Sequence, residues 1–146
     1  MKRPIRVVCL LLVLSLMMAV PARAAAEAEP RGSAFFSSYW TYLSKVSSTS
    51  FGICFDVDSN VAVMDELGAS LIELYESPDQ HNWTRIKIYE PGAFPYMLAY
   101  NTVSHADYVM YYNAIPGYYY TACVTYYAKD SRGSAETLVY TGILRM

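Results

Sequence analysis

The run Gly117-Tyr-Tyr-Tyr-Thr-Ala-Cys-Val-Thr-Tyr-Tyr-Ala128, leading into the turn Lys129-Asp-Ser-Arg-Gly133, constrains the fold more than any other stretch. Side chains alternate across a strand, so residues two apart share a face. The even positions are Tyr118, Tyr120, Ala122, Val124, Tyr126 and Ala128; the odd ones are Tyr119, Thr121, Cys123, Thr125 and Tyr127. The even set is greasier and holds no threonine, which points it toward a core. The odd set suits a face partly open to solvent. Tyr and Thr are good strand formers, and the run is too long for an ordinary edge strand. A central strand of an all-β domain is expected, followed by a hairpin. Tyr118 or Tyr120 is placed to anchor its hydroxyl on backbone at a sandwich corner.

The start of the chain speaks to compartment. Met1-Lys-Arg-Pro-Ile-Arg6 is a basic head, Val7 to Val20 is an apolar run broken only by Ser15, and Pro21-Ala-Arg-Ala24 is a small-residue cleavage site. This is the pattern of a secretory signal peptide, 1–24, too short to favour spanning a bilayer over being removed. Cleavage is expected after Ala24, with Ala26 as second choice. Cys9 lies inside the apolar run, so a lipid-anchored cysteine is not expected. Four of the 11 basic residues leave with the signal while all 13 acidic ones remain; seven against 13 makes the mature chain a formal −6. No basic cluster remains, which argues against nucleic acid or an anionic membrane as partner once the signal is gone. The last residues, Leu144-Arg-Met146, hold neither a cell-wall sorting signal nor a hydrophobic tail. A protein released outside the cell is expected.

A flexible leader is expected over 25–38 and a single domain over 39–146, a length able to bury a useful core. Strands are anticipated at Thr41–Val46, Phe51–Val57, Met97–Thr102, Asp107–Ile115 and Ala135–Ile143, besides the central one. Met64–Gly68 reads as a loop or a single helical turn. Ser70–Glu76 and Trp83–Tyr89 form the clearest hairpin, bent by Pro78 and Asp79. In it Ile72 and Leu74 face Ile86 and Ile88, while Arg85 and Lys87 point out toward Glu73. About seven strands separated by turn signals indicate an antiparallel β-sandwich of immunoglobulin or fibronectin type III kind.

Two cysteines survive signal removal, Cys54 and Cys123. An exported protein with an even pair invites a disulfide. Alternation turns both thiols outward, however, whereas an inter-sheet bridge needs both inward, so separate thiols are favoured. Asp56-x-Asp58-x-Asn60 resembles the opening of a calcium loop, but Val61 and Leu67 stand where Gly and Glu are needed, leaving only a looser site with Asp65 and Glu66. His81 and His105 are the only histidines. No nucleophile motif accompanies them, and two isolated histidines fall short of zinc. His105 suits a loop-capping role through its ring nitrogens. Trp83 is expected to cover the end of the hairpin. Neither a catalytic residue nor a cofactor is expected.

Fifteen tyrosines, all beyond the signal, are the most unusual feature. Tyrosine on a flat sheet face stacks on sugar rings, and the candidate platform is Tyr119, Tyr127 and Tyr112 or Tyr111. Tyrosine also suits half-buried sheet faces for purely structural reasons. The expected function is a non-enzymatic extracellular binding or interaction domain, its partner a protein or glycan outside the cell. The alternatives are a carbohydrate-binding module and a hydrolase whose site has no sequence signature.

Between Tyr39 and Thr141 the chain resembles a family of small exported proteins of unknown function from Gram-positive gut bacteria. The resemblance lies in Met64-Asp-Glu-Leu-Gly-Ala69, Ile72-Glu-Leu-Tyr-Glu76, Trp83 with Ile86-Lys-Ile-Tyr89, Asn101 with His105, and Gly117-Tyr-Tyr-Tyr120 with Tyr127-Ala-Lys-Asp130. It implies an immunoglobulin-like or fibronectin-like sandwich behind a signal peptide, and carries over no catalytic residue.

Overall fold

Residues 34–60 and 62–146 are described by the computed structural model; the expected signal peptide and the leader as far as residue 33 lie outside them. In chain order the strands are β1 (Phe36–Lys45), β2 (Phe51–Ser59), β3 (Met64–Ser77), β4 (Thr84–Tyr89), β5 (Leu98–Thr102), β6 (Ser104–Tyr111), β7 (Tyr119–Asp130), β8 (Gly133–Tyr140) and β9 (Leu144–Arg145). A short 3-10 turn, Pro95–Met97, is the one helical piece among the described residues.

Two antiparallel sheets make a β-sandwich. One has three strands in the order β1-β2-β6; the other has the path β4-β3-β7-β8, with β5 added to β3 and β9 to β7. The long run that reads as the central strand is β7, paired with β3 on one side and β8 on the other. Its even positions from Tyr120 to Ala128 are buried and its odd ones, Cys123 apart, are half-buried. From the facing sheet, Phe51, Ile53, Phe55 and Val57 of β2 close the core. Rings interlock across the interior: Tyr39 stacks on Tyr126 with centroids 5.6 Å apart, and Phe51 meets Tyr120 at 5.0 Å. Buried tyrosine hydroxyls find backbone partners. The Tyr120 hydroxyl accepts the Ile115 N–H at 2.8 Å, the corner anchor expected of Tyr118 or Tyr120, and donates to Glu76 at 3.3 Å.

Several elements depart from expectation for identifiable reasons. β1 begins at Phe36, not Thr41, because the Phe36 ring is buried in the core, so the end of the expected 25–38 leader is strand. Met64–Gly68 is neither loop nor helical turn but the start of the 14-residue β3. Gly68, which suggests a stop in sequence, is needed there for another purpose. Its φ is +152°, and a Cβ would lie 2.2 Å from the Met97 carbonyl oxygen, so only glycine lets the Met97–Leu98 backbone come this close. In the β3–β4 hairpin a bulge at Ile86 shifts the register: Leu74 pairs with Lys87, and Ile88 stands opposite Glu73. Ile88 is therefore exposed instead of facing Ile72 or Leu74, and Tyr89 takes the buried place beside Ile72. The expected Arg85–Glu73 contact is present, while Lys87 lies over the Tyr89 ring at 5.9 Å. The strand expected over Ala135–Ile143 is β8 and stops at Tyr140; the Thr141 hydroxyl accepts the Ala122 N–H at 2.9 Å, and β9 folds back onto the start of β7.

Candidate functional site

The exposed face of the three-stranded sheet is built by alternation in strands far apart in sequence. On β1 the inward Tyr39, Thr41 and Leu43 leave Trp40 and Tyr42 pointing out; on β2 the buried Ile53, Phe55 and Val57 leave Cys54 and Asp56; on β6 the buried Val109 leaves Ala106 and Tyr108. Register then sets them in two rows, Trp40–Asp56–Ala106 and Tyr42–Cys54–Tyr108. Trp40 is 71% exposed, Tyr42 56% and Tyr108 54%. Neighbouring strands lie about 4.8 Å apart, so Tyr42 and Tyr108 flank β2 at roughly 10 Å backbone separation. Large aromatics left this open on one sheet face are the informative exception to burial.

Small residues shape the space between the rings. Cys54 and Ala106 floor an open trough of about 430 Å³, with Trp40 and Tyr42 along one side and Tyr108 along the other. Asp107 and Tyr108 also border a second hollow of about 420 Å³, lined further by Phe94, Tyr96 and Tyr112, so the aromatic surface continues over the β6 edge. The floor is tied down from beneath. The Tyr126 hydroxyl, on the central strand of the opposite sheet, donates to the Trp40 carbonyl, and the Thr41 hydroxyl donates to the Cys54 carbonyl at 3.0 Å. Burial holds the Tyr126 hydroxyl well above the usual tyrosine pKa.

The polar groups of this face are acidic or neutral. The Tyr42 hydroxyl is raised above its ordinary pKa, first by its hydrogen bond with the Cys54 thiol, then by the Cys54 charge, slight desolvation and the Asp56 carboxylate. Desolvation, then Asp107 and the neighbouring Tyr108 and Tyr112, raise Tyr96 likewise. Asp58, one row beyond Asp56, accepts the Ser38 hydroxyl at 2.8 Å.

The tyrosines singled out in sequence are not brought together. Tyr119 and Tyr127 lie on the outer face of the other sheet, eight positions apart along β7, roughly 26 Å. The Arg145 guanidinium covers the Tyr119 ring at 5.5 Å. Tyr111 faces inward against Phe51 and Tyr120. Of the four, Tyr112 alone joins the aromatic surface, beside Tyr96 and Tyr108. Trp40, Tyr42 and Tyr108 were findable only in part, as aromatics at the outward parity of β1 and β6.

The remaining candidates have structural positions. Cys54 and Cys123 are free thiols on the outer faces of opposite sheets. Cys123 is nonetheless 2% exposed, because Glu73 and Tyr140 flank it in its row; burial pushes its thiol pKa up. Asp56 and Asp58 sit on extended β2 and do not wrap around a centre, and among the described residues no group of three or more His, Cys, Asp or Glu could hold a metal. His81 Nδ1 meets the Asp79 carbonyl at 2.6 Å within the β3–β4 turn, and His105 Nε2 donates to the Tyr96 carbonyl at 2.8 Å, closing the 3-10 turn. Trp83 donates its indole N–H to the Gln80 carbonyl at 3.1 Å at the hairpin end.

The sequence matches no protein-family model, and a search of curated proteins finds no relative.

Proposed function

We propose that this is a secreted, non-catalytic binding domain that engages an extracellular glycan through the outer face of its three-stranded sheet. One observation carries the reading: Trp40, Tyr42 and Tyr108 stand exposed in adjacent rows on one face of a sheet, with the Asp56 carboxylate among them. A pyranose ring offers an apolar C–H face and a rim of hydroxyls. Aromatic faces take the first, and a neighbouring carboxylate or tyrosine hydroxyl takes the second. The open trough suits a chain laid along the surface better than a small molecule enclosed in a pocket. A hydrolase is the weaker reading, since both histidine rings spend hydrogen bonds on backbone carbonyls. Export is in keeping with the signal-like first 24 residues, and the Tyr120 corner favours an immunoglobulin-like relationship for the sandwich.

The test is a glycan array followed by calorimetric titration of the hits. Trp40→Ala and Tyr108→Ala are each expected to weaken binding about tenfold, the scale of one lost stacking contact, while Tyr119→Ala leaves it unchanged. An array without hits, or a loss in Tyr119→Ala equal to that in Trp40→Ala, would refute this assignment.

A further inference from the structure

We propose that the trough prefers glycans bearing free amino groups, polymers of de-N-acetylated hexosamine, over neutral or acidic ones. This deepens the glycan reading and rests on it. Charge complementarity is the reason. Asp56 is exposed in the middle of its row, between Trp40 and Ala106, and borders the trough. Asp58 adds a second carboxylate to the same face one row on, with one oxygen engaged by Ser38.

Among the described residues, no basic side chain offsets these charges. The outward positions of β1, β2 and β6 include no Lys or Arg. The described basic residues are placed elsewhere: Arg85, Lys129 and Arg132 are paired with Glu73, Glu66 and Asp130, and Lys87 and Arg145 lie over rings of the six-stranded sheet. Lys45 ends β1 on the inward parity. A sugar stacked on Trp40 would hold its substituents within reach of Asp56, its cross-strand neighbour. An ammonium there gains an ion pair, whereas an acetamide gains none and a uronate or sulfate meets like charge. Because a polymer repeats its amine, neighbouring units can engage Asp56 and Asp58, two positions apart on the same face of β2.

The experiment titrates the intact mature protein with a β-linked glucosamine oligosaccharide and with its N-acetylated counterpart of equal length. The amine form is expected to bind about tenfold tighter at a pH where it is protonated, and added salt should erode the difference. The preference should vanish in the Asp56→Asn/Asp58→Asn double variant and when pH is raised until the amine is neutral, with circular dichroism confirming that the variant is folded. Equal or tighter binding of the acetylated sugar overturns the proposal, as does a preference that survives the double variant. If the acetylated sugar binds and Trp40→Ala abolishes it, the glycan reading stands and only the charge preference falls. If neither sugar binds and the array is empty, both fall. Binding of a lysine-rich peptide in place of either sugar, lost in Trp40→Ala, would make the partner a polypeptide and overturn the proposal as well.

Discussion

Tyr126→Phe tests how the binding face is supported. Tyr126 is fully buried on β7, its ring stacked on Tyr39, and its hydroxyl crosses the sandwich to the carbonyl of Trp40. Phenylalanine keeps the ring, its stacking and nearly all its volume, so no cavity opens. What disappears is the hydroxyl's hydrogen bonding: the Trp40 carbonyl loses its donor, and the polar contacts with the Asp56 backbone and the Thr41 side chain go with it. A net hydrogen bond contributes about 1 kcal/mol, and stranding a buried partner raises the cost, so a loss of about 1–2 kcal/mol is expected. For a domain of this size that lowers Tm by roughly 4–12 °C. Thermal and urea melts followed by circular dichroism would measure it, with the urea midpoint moving and the slope unchanged. Because the bond reaches the backbone directly under an exposed aromatic, amide exchange in β1 around Trp40–Tyr42 should accelerate, while β7–β8 amides keep their protection. Tyr127→Phe, on the outer face of the same strand, is the control. An unchanged Tm together with unchanged β1 exchange would refute the claim that the central strand holds the face in place.

Gly68→Ala should be severely destabilising, by about 2 kcal/mol or more, since it combines a positive φ with a Cβ 2.2 Å from the Met97 carbonyl; Gly117→Ala, with φ +88° but open space around it, should cost only about 1 kcal/mol in the same urea melts. Thiol labelling of unreduced protein should find two free cysteines, Cys54 reacting in the native state and Cys123 only on unfolding; failure to label after denaturation would mean that a disulfide exists. Alkaline titration should reveal a stability loss that begins near the ordinary tyrosine pKa. Tyr120 is pushed up to about 12, chiefly by desolvation, and burial raises Tyr89 and Tyr126 as well. The folded state holds these protons more tightly, so their contribution is intact below about pH 10 and declines as pH rises toward the folded values. Melts across this range, with phenolate absorbance counting ionised rings, would check it; stability constant up to pH 12 would contradict it.

Local alternation carried the internal parity of nearly every strand. Tyr120, Val124 and Tyr126 against Thr121 and Thr125, and Ile53, Phe55 and Val57 against Cys54, face as their two-residue period dictates, because pleating makes orientation a property of the strand itself. The corner anchor was legible as Tyr118 or Tyr120, and the structure makes it Tyr120. Features that depend on a neighbour were not. The bulge at Ile86 turned Ile88 outward, and Gly68 reads as a stop until the Met97–Leu98 backbone is laid against it. Cys123 carries an outward parity, yet its row neighbours Glu73 and Tyr140 leave it buried. The candidate site belongs wholly to this second class. A chain that alternates correctly still says nothing about which strands become neighbours, and β6 reaches β2 only after the chain has built β3, β4 and β5 in the opposite sheet. That long-range pairing sets Tyr108 beside Trp40 and Tyr42, while Tyr119 and Tyr127, closer together in sequence, end far apart along a single strand.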